Sequence, residues 1–144
     1  MKIIICGMPG TGKTTLSKTI SQKNKYKYVS DFDIINKENP LTSVNEFLSK
    51  NDNFVLDVDY KNYNEDILFN TQQNIKIIYL VYSDKITIDM LNLVFKGSKD
   101  SSELQDYLKY SAKYREICLN NNLTIYEIDK NRDKVLQEIL ENES

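Results

Sequence analysis

The stretch that decides the fold is GMPGTGKTT, residues 7–15, which contains three of the four glycines in this 144-residue chain. It follows the apolar run KIIIC (residues 2–6), whose β-branched side chains are typical of a strand buried on both faces. It leads into KTTLSKTISQK (residues 13–23), which carries apolar residues at helical spacing. Glycine concentrated between a strand and a helix predicts a loop whose backbone curls tightly.

Residues 7–14 fit the pattern G-x-x-x-x-G-K-[ST], the Walker A motif of phosphate-binding loops. The glycines let successive backbone N–H groups point at one anion, and the N-terminus of the following helix adds its dipole. In this motif Lys13 reaches the β- and γ-phosphates, the Thr14 hydroxyl ligates Mg²⁺, and Thr15 is placed to contact the α-phosphate. The residues predicted to bind the nucleotide here are Gly7, Met8, Pro9, Gly10, Thr11, Gly12, Lys13, Thr14 and Thr15.

The rest of the chain alternates apolar strands with helical patterns, and no linker or repeat divides it. Further strands are predicted at residues 26–30, 53–59, 75–82 and 123–128. Helices are predicted at residues 43–50, 84–95, 101–121 and 133–142, the third of them opened by a serine at the cap position. This order predicts one α/β domain over residues 1–144, with a five-stranded parallel sheet flanked by helices on both faces.

Composition excludes several classes of protein. The net charge of −2 shows no basic excess, which argues against extended nucleic-acid binding. The absence of histidine rules out histidine catalysis and His-ligated zinc. Cys6 and Cys118 stand far apart in apolar settings, so buried thiols are expected rather than a disulfide or metal site. No apolar stretch approaches the roughly 20 residues of a membrane span, so we expect a cytoplasmic protein that does not enter the membrane.

The chain resembles the P-loop kinases of the nucleoside and nucleotide kinase type, the adenylate-kinase-like superfamily. Beyond the Walker A motif, the resemblance is carried by VLDVD (residues 55–59), IIYLVYSDKITIDML (77–91) and LTIYEIDKNRDKVLQEI (123–139). These segments look like three elements of the family, namely a strand ending in Asp, an apolar strand with the helix that leads to a lid, and a final strand with its helix. The resemblance implies a P-loop NTPase fold, with ATP and Mg²⁺ as cofactors.

Asp31 and Asp33 follow the second strand in the segment VSDFDIIN. In shikimate-kinase-like and polynucleotide-kinase-like members, an acidic residue here holds the acceptor hydroxyl and takes its proton. An alcohol needs that help because its own pKa lies far above 7. The resemblance implies that Asp33 is the catalytic base and that Asp31 faces Mg²⁺ through water, with the reverse assignment open. The alternative is that both residues only cap a helix.

Asp57 and Asp59 end the third strand, at the sheet edge where ligands bind in open α/β folds. Asp57 resembles the Walker B carboxylate, so the predicted metal-binding residues are Thr14 and Asp57. Strand alternation puts Asp59 on the same side as Asp57, where it could share this work. The alternative for either aspartate is a cap on a helix that starts near Tyr60.

The chain has only two arginines, Arg115 and Arg132. The resemblance implies a mobile lid at about residues 95–102 with Gly97 as its hinge, and it places Arg115 close to that lid as a catalytic residue. Arg132 resembles the residue that packs over adenine in the family, which adds it to the nucleotide-binding set. A surface role is the alternative for Arg132.

The scarcity of arginine favours an acceptor that offers a hydroxyl, because lysine lacks the bidentate fork that grips a second phosphate group. The acceptor segment, about residues 31–52, has Lys37 and Lys50 as its only cations. Four aromatic residues are predicted near the mouth, where they could stack on a base or sugar: Phe32, Phe47, Tyr60 and Tyr63.

The predicted function is that of a kinase, a phosphotransferase dependent on ATP and magnesium. Its acceptor is a nucleoside, a nucleotide or a nucleic-acid 5′-hydroxyl. A kinase for a small hydroxylated metabolite is the first alternative. A nucleotide-binding regulatory module with little turnover is the second. A GTPase is disfavoured, because no N-K-x-D guanine motif follows the fourth strand.

Overall fold

The computed structural model describes residues 1–34, 38–62 and 74–143, and within them strands and helices alternate along the chain. The strands are β1 (Lys2–Gly7), β2 (Lys27–Ser30), β3 (Phe54–Asp59), β4 (Ile75–Tyr82) and β5 (Thr124–Ile128). The helices are α1 (Lys13–Asn24), α2 (Pro40–Lys50), α3 (Ile88–Val94), α4 (Ser101–Asn120) and α5 (Arg132–Glu143). Short 3₁₀ turns cover Asp31–Asp33 and Tyr60–Asn62.

The sheet has the order β2-β3-β1-β4-β5, and every neighbouring pair of strands is parallel. The prediction of a five-stranded parallel sheet is therefore confirmed. Gly7 at the end of β1 lies opposite Asp59 of β3 on one side and Leu80 of β4 on the other. The chain thus leaves the central strand between two neighbouring strand ends, which is the place where open α/β sheets bind ligands.

Helices cover both faces of the sheet, as predicted. On one face Ile3 and Ile5 of β1 join a buried cluster with Leu16 and Ile20 of α1 and Ile139 of α5. The alternate residues of β1 join a larger cluster on the other face, to which α2, α3 and α4 contribute. A strand that is apolar on both faces, as the sequence of β1 indicates, can only be buried between two helical layers.

The starts of two helices and the cap of a third differ from the prediction. The predicted serine cap of α4 is wrong, because Asp100 caps the helix by accepting a hydrogen bond from the Glu103 N–H at 2.8 Å. Helix α3 begins at Ile88 rather than residue 84, since Thr87 accepts from the Met90 N–H at 3.2 Å. Helix α2 begins at Pro40, whose fixed φ and missing N–H suit the first turn of a helix.

The structure also bears on the cysteines and on the membrane. Cys6 and Cys118 are both buried thiols, as the sequence predicts. Across residues 1–34, 38–62 and 74–143, no helix has the length and apolar character needed to span a bilayer.

Candidate active site

The phosphate loop, residues 7–15, connects the carboxyl end of β1 to the N-terminus of α1. Gly10 and Gly12 have φ angles of 77° and 84°, so the predicted curl of the backbone is present. Side chains support this curl from behind, because the Thr11 hydroxyl donates to the Met8 carbonyl at 2.7 Å and the Tyr82 hydroxyl donates to the Pro9 carbonyl. Met8 and Thr11 are themselves fully buried. Their side chains therefore support the loop from inside the fold.

Gly12 is the most constrained residue of the loop. It caps α1 in the left-handed region, and a Cβ atom added to it would lie 2.8 Å from Cδ1 of Leu136. That contact joins the loop to α5, the last helix of the fold. Gly97 also has a left-handed φ, of 73°, but a Cβ atom added there would meet nothing within 4 Å.

We expect Gly12→Ala to destabilise the protein more than Gly97→Ala. Gly97→Ala adds only the left-handed strain of an L-residue, which lowers the free energy of unfolding by about 1–2 kcal/mol. Gly12→Ala adds the same strain and also a steric clash with Leu136, which costs roughly another 1–3 kcal/mol if the Leu136 side chain relaxes only in part. Urea unfolding of the two variants measures the difference. Equal losses would show that α5 does not confine the loop.

Lys13, Thr14 and Asp57 meet at the start of α1. The Lys13 ammonium lies 2.9 Å from Oδ1 of Asp57 and donates to the Val58 carbonyl at 3.1 Å. The Thr14 hydroxyl donates to the other oxygen, Oδ2, at 2.9 Å. Asp57 is only 4 % exposed, so these donors compensate a carboxylate that is held away from water. Thr14 and Asp57, the two predicted metal-binding residues, are thus in direct contact, and their binding of a metal stays a prediction.

Tyr28 of β2 is a site residue that the sequence analysis missed. Its hydroxyl donates to Oδ2 of Asp57 at 2.8 Å. Burial is the largest cause that raises the pKa of Tyr28, followed by the hydrogen bond and charge of Asp57 and then by the charges of Asp31 and Asp33. The phenol therefore stays protonated and remains a donor. Strand alternation could have placed Tyr28 on one face of β2, but only the sheet order puts β2 beside β3.

The structure gives Asp31 and Asp33 different surroundings. Asp31 is 1 % exposed, and its Oδ2 accepts the Asp59 backbone N–H at 2.8 Å, which fastens the end of β2 to the end of β3. Asp33 is exposed at the end of the same 3₁₀ turn. Phe32 between them is 74 % exposed, an unusual position for so large an apolar ring. The turn therefore presents Phe32 and Asp33 outward and keeps Asp31 inside.

Two cavities meet at the phosphate loop. The first, of about 450 Å³, is lined by the loop residues 8–10 and 12–15 together with Phe32, Asp59 and Arg132. The second, of about 540 Å³, lies beside the segment after β5 and is lined by residues 128–134, by Gly10 and by apolar side chains that include Leu91 and Val94. Gly10 and Arg132 border both, and Arg132 donates to the Gly10 carbonyl at 3.4 Å. The structure thus brings Arg132 to the loop.

The structure does not bring Arg115 to the phosphate loop. Its Nε lies 2.7 Å from Oε1 of Glu127 on β5, and its Nη2 donates to the Tyr82 carbonyl at the end of β4. These contacts tie α4 to the β4–β5 edge of the sheet. The predicted catalytic role of Arg115 has no support in this geometry.

The segment predicted as a lid is partly helical. Because α4 begins at Ser101, the connection between α3 and α4 covers residues 95–100, and Gly97 closes α3 by donating its N–H to the Asn92 carbonyl at 3.0 Å. Phe95, the first residue of this connection, lies against the phosphate loop, since a Cβ atom on Gly10 would be 3.2 Å from Cζ of Phe95. The position beside the loop agrees with a lid, and its movement stays a prediction.

Of the three described aromatic side chains predicted at the mouth, two lie elsewhere. Tyr60 is buried and packs edge-on against Tyr107, with ring centroids 5.4 Å apart. Phe47 packs edge-on against Phe54, with centroids 4.8 Å apart. Both rings complete the core, so the prediction that they face a ligand is wrong, and of the described three only Phe32 is exposed at the site. Tyr63 and Lys37 lie outside the described residues.

Comparison with known families and sequences gives two matches. A family model described as an AAA domain matches residues 3–119. The adenylate kinase of Wigglesworthia glossinidia brevipalpis is 38% identical over 50 residues, which cover 35% of this chain and 24% of that enzyme. The match thus spans about a quarter of the length of this curated relative.

Solved structures match over nearly the whole chain. The YorR protein of Bacillus subtilis, in complex with phosphorylated GDP, has a TM-score of 0.65 at 19% identity, with 97% of this chain and 94% of that chain covered. A gluconokinase of Sinorhizobium meliloti 1021 has a TM-score of 0.66 at 13% identity, with 97% and 89% covered. The shikimate kinase of Aquifex aeolicus vf5 has a TM-score of 0.64 at 15% identity, with 97% and 94% covered. At these identities the likeness shows a shared fold, and the predicted α/β P-loop kinase fold is confirmed.

Proposed function

Because the chain belongs to the AAA domain family, we propose that it is a small P-loop kinase that moves the γ-phosphoryl group of ATP, with Mg²⁺, to a hydroxyl acceptor. The observation that carries this proposal is the meeting of Lys13, Thr14 and Asp57 at the N-terminus of α1. An ammonium, a hydroxyl and a carboxylate beside a curled backbone are the groups that phosphoryl transfer uses for positioning and for charge neutralisation.

The triphosphate would lie in the first cavity, against the N–H groups of the phosphate loop. The second cavity would take the base, because it meets the first at Gly10 and Arg132 and has apolar side chains along one wall. The guanidinium of Arg132 would then cover the junction between base and phosphates. For Lys13 to reach the β- and γ-phosphates, its ammonium has to leave Asp57.

The residues present fit a magnesium ion. Thr14 and Asp57 offer hydroxyl and carboxylate oxygens within 2.9 Å of each other, and Mg²⁺ prefers oxygen ligands. Such an ion usually takes one or two protein groups and completes its shell with phosphate oxygens and water. When bound it would neutralise charge on the transferred group. Thr14 would hold it directly, and Asp57 would position the ion or its water shell while it accepts the Thr14 hydrogen bond.

The acceptor would approach from the side of Phe32 and Asp33. Among the described residues that line the first cavity, the cations are Lys13 and Arg132, both assigned above to the donor nucleotide. The acceptor side instead offers the exposed Phe32 ring and the carboxylates of Asp33 and Asp59. This surface favours an acceptor that presents a hydroxyl and a ring face, with Asp33 as the base that takes the hydroxyl proton.

Within that class we place a nucleoside, a nucleotide or a nucleic-acid 5′-hydroxyl first, because the flat Phe32 ring suits stacking on a base. A small hydroxylated metabolite is the alternative acceptor. A regulatory module that binds nucleotide with little turnover is a second candidate function. It is favoured by the position of Arg115, which is held at the β4–β5 edge rather than beside the phosphates.

Release of ADP from ATP tests these functions. We expect Mg²⁺-dependent release that rises at least about tenfold when the right acceptor is added. The panel should contain nucleosides, nucleoside monophosphates, 5′-hydroxyl oligonucleotides and small polyols, with EDTA as the control. Stimulation by a polyol alone would select the metabolite kinase. Nucleotide uptake without stimulation by any acceptor would select the regulatory module and contradict the kinase.

A further inference from the structure

We propose that Tyr28 is a positioning residue that fixes the orientation of the Asp57 carboxylate on the metal side of the site. The inference rests on the proposed function, because the orientation of Asp57 matters only if a cation binds beside Thr14. Tyr28 belongs to β2 and lines neither cavity at the phosphate loop. It would act through Asp57 and not by touching the nucleotide.

The division of contacts between the two carboxylate oxygens carries the argument. Oδ2 of Asp57 accepts from the Tyr28 hydroxyl at 2.8 Å and from the Thr14 hydroxyl at 2.9 Å. Oδ1 faces the Lys13 ammonium at 2.9 Å. Once Lys13 turns to the phosphates, Oδ1 loses that contact. The remaining donors both hold Oδ2, which leaves Oδ1 directed toward the phosphate loop.

Of those two donors, Tyr28 is the one that keeps the same hydrogen bond to Asp57 when a cation binds. The Thr14 hydroxyl has to direct an oxygen lone pair at the cation while it still donates its hydrogen bond to Asp57. A single torsion angle of this hydroxyl therefore has to satisfy two partners. Tyr28 comes from the sheet, where its backbone pairs with Val55 of β3. Its ring lies 5.4 Å from the Lys18 ammonium, which covers it from α1. A group on a rigid strand is well suited to orient a metal-site carboxylate.

The effect of magnesium distinguishes a role of the Tyr28 hydroxyl in orienting Asp57 from a general contribution to folding. Backbone N–H groups of the loop hold the phosphates whether or not a metal is present. Rotation of Asp57 would weaken only the contacts that depend on the metal. Loss of the Tyr28 hydroxyl should therefore change the magnesium dependence of nucleotide binding and leave metal-free binding in place.

The test is the titration of Tyr28→Phe with a fluorescent ATP analogue in EDTA and at increasing Mg²⁺. We expect the Mg²⁺ concentration for half-maximal tightening to rise about tenfold, as for other residues that orient metal ligands. Affinity in EDTA should stay within about twofold of the wild type. Tyr26→Phe is the matched control, since Tyr26 lies two residues earlier and packs beside α1 rather than at Asp57.

A double-mutant cycle completes the design. In an Asp57→Asn background, Tyr28→Phe should add no further shift in the Mg²⁺ dependence, because the group that it orients has lost its charge. An unchanged Mg²⁺ dependence of Tyr28→Phe overturns the inference, and so does an equal loss of affinity with and without metal. Both outcomes leave the kinase proposal standing. A wild-type protein whose nucleotide affinity ignores Mg²⁺ overturns both.

Discussion

Lys13→Ala is expected to lower phosphoryl transfer or ATP hydrolysis by at least about 100-fold, the usual effect of removing a charge-stabilising donor from a transition state. It should also lower the free energy of unfolding by about 3 kcal/mol, because the nearly buried Asp57 loses the cation beside it. ADP release and urea unfolding measure the two effects separately. The loss of turnover and the loss of stability are both expected because the Lys13 side chain belongs to the proposed site and also pairs with the buried Asp57.

A second variant distinguishes the two roles of Lys13. In Lys13→Ala/Asp57→Asn the buried charge is gone, so we expect most of the stability to return while turnover stays low. Lys23→Ala, in the last turn of the same helix, is the control for loss of a surface lysine. Turnover that returns with stability would mean that Lys13 serves folding alone, and its proposed role at the phosphates would be wrong.

Asp33→Asn is expected to reduce transfer to the acceptor about 100-fold while affinity for the nucleotide is retained, since the amide cannot accept the hydroxyl proton. Stimulated ADP release reports the loss, and titration with a fluorescent ATP analogue reports the retained affinity. Because Asp33 is exposed and lies at the end of its turn, the fold should tolerate the change.

Asp31 supplies the comparison for this prediction. Asp31→Asn keeps an oxygen for the Asp59 N–H, whereas Asp31→Ala leaves that buried donor unpaired and should lower the free energy of unfolding by about 1–3 kcal/mol. If Asp31→Asn loses transfer and Asp33→Asn keeps it, the two roles are reversed. If both variants transfer at the wild-type rate, no aspartate of this turn is the base.

The phosphate loop could be predicted because the residues that determine its conformation are close together in the sequence. Glycines at fixed offsets, a buried strand before them and a helix after them are all visible within residues 2–24. The Thr14–Asp57 pair could also be predicted, because carboxyl ends of parallel strands meet at one edge of the sheet. Each of these inferences needs only sequence neighbours or a general rule of parallel sheets.

The remaining features depend on which elements are neighbours in space. Tyr28 reaches Asp57 only because β2 lies next to β3, and Arg115 is drawn to Glu127 because α4 packs near β5. Tyr60 and Phe47 are near the predicted mouth in sequence, yet Tyr60 is buried in the core and the partly buried Phe47 packs against it. The start of α3 was predicted four residues early because the Thr87 cap outweighs the periodicity of the residues before it.

The contact of Leu136 with Gly12 has a consequence for the order in which the molecule folds. The packing partners of the phosphate loop, Leu136 and Arg132, come more than a hundred positions after it in the chain. Contacts of such long sequence separation form late. During synthesis the nascent loop therefore emerges well before the support that sets its shape, and it can reach its final conformation only when α5 has been made.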